Sequence, residues 1–178
     1  MNFTYRITAG FVIASLSAPA LAAGGVPAQA MNKTITISFA ATGNAKSADG
    51  QVKGFSTQVS WTIYVSSAGR LFMRHIARAG SNSRGGDFGP NDARTGKGSF
   101  NFQGNQLVGV IPYAAGARQI TATFDPGFTG CTARVIEGHS GGGTIRRKGP
   151  NGIMHEISSA TTSSPSCSIQ SGNAFAGQ

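Results

Sequence analysis

Acidic side chains are scarce in this sequence, which has six aspartate and glutamate residues against fifteen lysines and arginines. Charged residues make up only 12% of the chain, about half the usual share. No two of the six carboxylates are singled out by spacing as a glycosidase-type catalytic pair. The alternating acidic pattern of a calcium-binding loop is also absent, and we interpret Asp49, Asp87 and Asp92 as solvated loop carboxylates. We therefore predict no catalytic residues, no metal site and no cofactor.

Cysteine is limited to Cys131 and Cys167. No C-x-x-C motif occurs and no histidine stands at ligand spacing beside either residue, which argues against a metal-binding or redox pair. In an exported chain, an even pair of cysteines most simply forms one disulfide. Closing a loop of about 36 residues stabilises the folded state by roughly 4 kcal/mol in the loop-entropy model.

Long apolar runs are missing as well. The best candidate, residues 7–16, is about ten residues long, whereas a membrane-spanning helix needs about 18 or more. It follows the positively charged start Met1 to Arg6 and precedes the small residues of 19–23, which is the pattern of a secretory signal peptide. We predict a signal peptide over 1–22, with cleavage after residue 30 as the alternative. The mature protein is expected to be periplasmic or extracellular, without a membrane span.

Helical periodicity is absent outside the signal peptide, and apolar residues alternate with polar ones instead. The clearest case is 55–65, where every second residue from Val59 to Val65 is apolar. About eight to nine such short strands, joined by turns such as Asp125-Pro126-Gly127, predict a single antiparallel all-β domain. Because neighbouring strands are joined by local hairpins, we expect an up-and-down barrel, with a β-sandwich as the alternative.

The predicted β domain covers residues 32–170. An N-terminal linker, 23–31, precedes it, and a flexible tail, 171–178, follows it. Within the domain, the Gly- and Asp-rich stretch 79–98 and the Ser/Thr-rich stretch 159–166 are interpreted as loops.

One catalytic motif is present, because Gly138-His139-Ser140-Gly141-Gly142 fits G-x-S-x-G, the turn that presents the nucleophilic serine in many esterases and lipases. That turn needs a parallel strand before the serine and a helix after it, whereas Ser140 is followed by three glycines and a strand pattern. The acid and the histidine downstream, Glu156 and His155, are adjacent, so their side chains lie on opposite faces of a strand. We interpret residues 137–143 as a loop between strands.

Residues 70–78 (RLFMRHIAR) form the most informative cluster. On an extended strand, five of these side chains share one face: Arg70, Phe72, Arg74, Ile76 and Arg78. Successive arginines then lie about 13 Å apart. Guanidinium groups bind carboxylate or phosphate through paired hydrogen bonds, and Phe72 offers a ring for stacking. The alternative is a solvent-facing surface on which the arginine stems cover Phe72. His75 falls on the opposite face, where a buried histidine is expected.

The net charge of +9 favours anionic partners; the alternative is a general property of exported proteins that have no such partner. Arg146, Arg147 and Lys148 form a second basic cluster, which would reinforce the first if the fold brought the two together. The candidate partners are an anionic polysaccharide, a lipid headgroup or a small anionic ligand. Nucleic acid is disfavoured, because an exported protein meets little of it and the aromatic residues mostly alternate toward the core.

Three classes of function fit these features. The first is a non-catalytic binding module of the periplasm or cell exterior, which holds a ligand in a barrel mouth or on the arginine-bearing strand. The second is a structural envelope protein or a protein inhibitor that uses the 79–98 loop. The third is a hydrolase of unknown substrate. The first is the function that the sequence favours.

Overall fold

The computed structural model describes residues 25–88, 99–113, 116–139, 145–148 and 154–175. A single turn of 3-10 helix, Ala28–Ala30, precedes eleven β-strands. The strands are β1 (Lys33–Ser47), β2 (Val52–Val65), β3 (Leu71–Ala79), β4 (Asn82–Phe88), β5 (Ser99–Gln103), β6 (Gln106–Tyr113), β7 (Gly116–Phe124), β8 (Cys131–His139), β9 (Ile145–Lys148), β10 (Met154–Thr162) and β11 (Ser166–Ser171).

The strands form two antiparallel sheets. The larger sheet has the order β4-β3-β2-β1-β10-β9, and the smaller has the order β5-β6-β7-β8. β1 is long enough to pair with two strands on one side, because its residues 33–38 pair with β11 and its residues 41–47 pair with β10. On its other side, β1 pairs with β2 over its whole length except the last residue.

One hydrophobic core holds side chains from both sheets. Period-two alternation turns every second residue of β1, β2 and β7 inward, and the fully buried positions include Ile35, Ile37, Ile63 and Ile120. Burial of one such side chain stabilises the fold by about 1.5–3 kcal/mol. The core is therefore the main source of stability, and the outer face of the larger sheet holds polar and charged residues together with Phe72 and Ile76.

The two cysteines form a disulfide, as predicted. Cys131 begins β8 in the smaller sheet and Cys167 lies in β11 of the larger sheet, with 5.6 Å between their Cα atoms. The bond therefore links the two sheets covalently across residues 36 apart in sequence. Cys131 and Cys167 both pack against the buried core.

The prediction of an antiparallel all-β fold is confirmed. The described strands are not closed into a barrel by hydrogen bonds, and the choice between barrel and sandwich stays a prediction. Three loop predictions were wrong in part, because 82–88 forms β4, 159–162 and Ser166 belong to β10 and β11, and 137–139 belong to β8. Glycine explains the first error: a Cβ at Gly85 would clash with the carbonyl oxygen of His75, so this strand needs glycine and lacks apolar alternation.

The predicted signal peptide, 1–22, lies outside the described residues. In the predicted linker, Val26 and Ala30 are buried in the core. Across the described part of the chain, no helix is long and apolar enough to cross a membrane.

Candidate anion-binding site

The outer face of the larger sheet carries the arginine-bearing strand. The pairing of β2 with β3 sets Thr62 opposite Arg74, Ser60 opposite Ile76 and Gln58 opposite Arg78. These β2 residues alternate with buried Val59, Trp61 and Ile63, so the core pattern itself directs the polar residues outward. We call the outward surface formed by Phe72, Arg74, Ile76 and Arg78 the arginine face.

An open depression of about 300 Å³ lies at one end of the arginine face. Its lining combines one cation, two hydroxyl groups, one amide and apolar surface, contributed by Ser38, Gln58, Val59, Ser60, Ile76 and Arg78. The hydroxyl of Ser38 donates a hydrogen bond to Ser60 Oγ at 3.2 Å. Arg78 is exposed near the end of β3, so its guanidinium is accessible to a ligand in solution.

Arg74 lies further along the arginine face and is covered by the C-terminal segment. Its guanidinium carbon is 4.9 Å from the centroid of the Phe175 ring, which is a cation–π contact. The segment is held by three hydrogen bonds to Thr34 of β1 and to Asn32, which precedes β1: Gly172 N donates to Asn32 O (2.7 Å), Thr34 Oγ1 donates to Gly172 O (2.7 Å) and Ala174 N donates to Thr34 Oγ1 (3.1 Å). Residues 172–175 of the predicted flexible tail therefore pack on the sheet.

Phe72 and Arg70 lie toward the opposite end of the face. The Phe72 ring is 6.2 Å from that of Tyr64, its neighbour on β2. Arg70 precedes β3 in the turn after β2, where its backbone N–H donates to Ser66 Oγ at 3.0 Å. Arg74 and Arg78 thus share the arginine face, whereas Arg70 is exposed in the adjoining turn.

The second basic cluster is not beside the first. Arg146, Arg147 and Lys148 belong to β9, at the opposite edge of the sheet from β3 and β4. Four strand spacings separate β9 from β3, which is about 19 Å across the sheet. Strand pairing aligns Arg78 with Ala40 of β1 and Arg146 with Lys46 of β1, six residues further along. The two arginines are therefore also roughly 20 Å apart along the strand direction. The side chains of this cluster are outside the described part of the structure.

The histidines and acids singled out in the sequence are dispersed. His75 is half-buried, and its ring stacks on Trp61 with 4.4 Å between centroids. Asp49 lies in the turn between β1 and β2, where hydrogen bonds from the Ser47 hydroxyl and the Gln51 N–H hold its pKa below the usual range. Asp87 is on β4 and Asp92 falls outside the described residues. Among the residues that the structure describes, no cluster of three metal-ligating side chains occurs.

Sequence reasoning missed one buried cation, Arg118. It is 6% exposed, and its guanidinium carbon lies 5.0 Å from the centroid of the Phe39 ring. The signal was available, because Arg118 alternates in phase with Ile120, Ala122 and Phe124, which are all buried. Arg118 packs with the core and takes no part in the arginine face.

The serine motif falls largely outside the described residues. β8 ends at His139, and Ser140 follows it. β8 pairs antiparallel with β7, whereas a nucleophile elbow follows a parallel strand. The interpretation of 137–143 as a loop was wrong for 137–139, which form the end of β8, and its remaining residues lie outside the described part of the chain.

Comparisons with known proteins assign no family to this chain. No protein-family model matches it, and no curated protein or solved structure matches it. The candidate function therefore rests on the chemistry of the arginine face.

Proposed function

We propose that this protein is an exported, non-catalytic binding module whose arginine face holds a small anionic ligand or one charged unit of an anionic polymer. The observation that carries the proposal is the depression beside Arg78, in which a solvent-accessible guanidinium adjoins hydroxyl, amide and apolar groups. Ligand sites combine a few convergent polar groups with apolar surface in this way, and a volume of about 300 Å³ is at the lower end of their range.

The lining favours an acidic sugar ring or a similar hydroxylated anion. Arg78 offers a planar fork of donors for a carboxylate, while Ser38 and Ser60 already hydrogen-bond each other and have further donor and acceptor capacity. Gln58 can bond to ring hydroxyls, and Ile76 offers an apolar surface for the ring's carbon face. Glycan units of an anionic envelope polysaccharide have both kinds of group.

The charge of the chain supports this choice of ligand. Its +9 net charge becomes +8 when Arg6 is removed with the proposed signal peptide, and such a surplus speeds the encounter with anions at low salt. Export would bring the protein into contact with envelope glycans, and the disulfide is compatible with an oxidising compartment.

The test is a calorimetric titration of the protein with oligogalacturonate, a polymer of carboxylated sugars. We expect binding that weakens as salt increases and that Arg78→Gln reduces about tenfold or more, because a charge-assisted pair contributes roughly 1.5–3 kcal/mol. Arg134→Gln is the matched control, since Arg134 is exposed on β8 and outside the depression. Equal affinity in the wild type and the Arg78 variant would overturn the proposed site.

A structural or interaction role in the envelope is the second candidate. The filled core favours it, because fully buried residues such as Ile37 and Leu107 occupy the interior in which a barrel-mouth ligand would sit. Native mass spectrometry of the mature protein from an exporting host separates the two. Extra mass of a carried ligand supports the binding module, whereas a bare chain that also ignores oligogalacturonate supports the interaction role.

A further inference from the structure

The segment that follows β11 turns onto the outer face of the larger sheet. β11 ends one residue before Gly172, which has a φ of 88°, a conformation that glycine adopts without strain. A second turn follows, in which Phe175 N donates a hydrogen bond to the Asn173 side-chain oxygen at 2.9 Å. The Phe175 ring then lies over Arg74 of β3, about 10 Å across the sheet from β1. We call residues 172–175 the strap.

The strap rests on β1 through Thr34 and on β3 through Arg74. The Thr34 hydroxyl donates a hydrogen bond to Gly172 O and accepts one from Ala174 N, while the Phe175 ring covers the Arg74 guanidinium. Gly172 is exposed, and Ala174 and Phe175 are half-buried. A cation–π contact at such an accessible position is a weak interaction. A short segment held in this way opens at little cost, and such elements are the ones that move when a ligand binds.

The strap borders the open part of the arginine face. Strand pairing sets Thr62 opposite Arg74, with Thr36 beyond it on β1. The lining of the depression begins two residues further along β3, at Ile76, and includes Arg78. Hydroxyl groups beside a guanidinium therefore continue from the depression to the edge of the strap. Residue spacing along a strand puts Arg74 and Arg78 about 13 Å apart, so only a ligand longer than one sugar ring can contact both.

We propose that the strap restricts the arginine face to one anionic unit, and that a longer anionic oligosaccharide binds a second unit at Arg74 by displacing Phe175. Hydrogen bonds from a guanidinium to a carboxylate are stronger than a cation–π contact at an accessible site. A unit already bound at Arg78 holds the next one close to Arg74 at a high effective concentration. This inference rests on the anion binding proposed for Arg78, and it assigns to Phe175 the control of ligand length.

The test is a calorimetric titration of the mature protein and its variants with galacturonate, a single carboxylated sugar, and with trigalacturonate, its trimer. Phe175→Ala should raise the affinity for trigalacturonate about two- to fivefold, because the cation–π contact no longer opposes the second guanidinium–carboxylate pair. It should leave the affinity for galacturonate unchanged, because that ligand occupies only the depression at Arg78. Phe175→Tyr is the matched control, since it keeps a ring over the guanidinium and should behave as the wild type.

Two further variants show whether the gain arises from the strap and from Arg74. Thr34→Val removes the hydroxyl that anchors the strap, keeps the volume of the side chain and changes a residue outside the arginine face. It should also raise the affinity for trigalacturonate and leave that for galacturonate unchanged. Adding Arg74→Gln to Phe175→Ala should abolish the gain. In the wild type, saturating trigalacturonate should accelerate hydrogen exchange at the amide of Ala174, whereas saturating galacturonate should not.

The outcomes separate this inference from the function on which it rests. Binding of galacturonate that requires Arg78, combined with equal trigalacturonate affinity in the wild type, Phe175→Ala and Thr34→Val, overturns the strap inference alone. A gain in Phe175→Ala that persists when Arg74→Gln is added also overturns it, because Arg74 is then not the second subsite. If neither anion binds to any variant, the proposed function and the strap inference are both wrong. Thermal unfolding of each variant checks that the fold is intact.

Discussion

The guanidinium carbon of Arg74 lies 4.9 Å from the centroid of the Phe175 ring, although the two residues are 101 positions apart in sequence. This contact brings the C-terminal segment onto the same face of the sheet that holds the depression at Arg78. Thr34 alternates with the core residues of β1, so its side chain points to the outer face of the sheet. It is nevertheless fully buried, because residues 172–174 cover it and hydrogen-bond to it. The arginine face is therefore covered at Arg74 and open at Arg78.

Replacing Phe175 with alanine should loosen this segment. We expect a loss of about 0.5–1 kcal/mol in the free energy of unfolding from the cation–π contact, together with faster hydrogen exchange at the amide of Ala174. Phe175→Leu is the matched control, because it keeps an apolar side chain and removes only the ring. Equal exchange rates in the wild type and the alanine variant would show that the ring does not hold the segment.

Removing the disulfide should destabilise the fold strongly. We expect Cys131→Ala with Cys167→Ala to lower the free energy of unfolding by about 2–5 kcal/mol, since the bond closes a 36-residue loop that joins the two sheets. Urea denaturation of the oxidised wild type and the double variant measures the difference. A change below about 1 kcal/mol would contradict the role given to the cross-link.

Gly109→Ala should destabilise the smaller sheet, because a Cβ at this position would overlap the Phe100 ring on the neighbouring strand. Such overpacking typically costs about 1–3 kcal/mol. Gly54→Ala is the control, since a Cβ there would have its nearest neighbour 3.9 Å away. If both variants unfold at the same urea concentration as the wild type, the close packing of Phe100 on Gly109 is not present in solution.

Asp125 should make stability depend on pH. Its carboxylate accepts hydrogen bonds from the Thr129 N–H, the Thr129 hydroxyl and the Gly130 N–H, and these lower its pKa. A lowered pKa in the folded state stabilises the fold above the unfolded-state pKa, and this contribution disappears as the pH falls through the folded-state pKa. Asp125→Asn should therefore lower the free energy of unfolding at pH 7, and the difference from wild type should shrink in acid. A difference that is constant with pH would contradict this assignment.

Alternation in the sequence was sufficient to predict the regular part of the fold. Val59, Trp61, Ile63 and Val65 alternate over one strand, and the structure buries all four. Alternation failed at 82–88, because two adjacent glycines provide no apolar signal and the strand depends on its backbone pairing with β3. Arg118 is in phase with the buried residues of its strand, and the structure buries it. The sequence analysis did not predict this burial for a charged residue.

The candidate site could be predicted only as a strand with three arginines. The neighbours that make a depression at Arg78 come from β1 and β2, so they depend on sheet order and register. The Phe175 contact depends on the path of the chain after β11, for which the sequence has no local signal. The second basic cluster was visible in sequence, but its place at the opposite edge of the sheet became apparent only from the pairing of β1 with β10 and of β10 with β9.

The most direct test of the account is an NMR titration of the isotope-labelled mature protein with trigalacturonate, following the backbone amides. Binding at the arginine face predicts salt-sensitive shifts at Gln58, Ser60, Ile76 and Arg78, four of the residues that line the depression, with Arg134 unaffected. The same titration of Arg78→Gln should give these shifts only at much higher trigalacturonate concentrations. Shifts that are absent from these residues, or that persist unchanged in the variant, would contradict the central claim that Arg78 and its neighbours bind an anion.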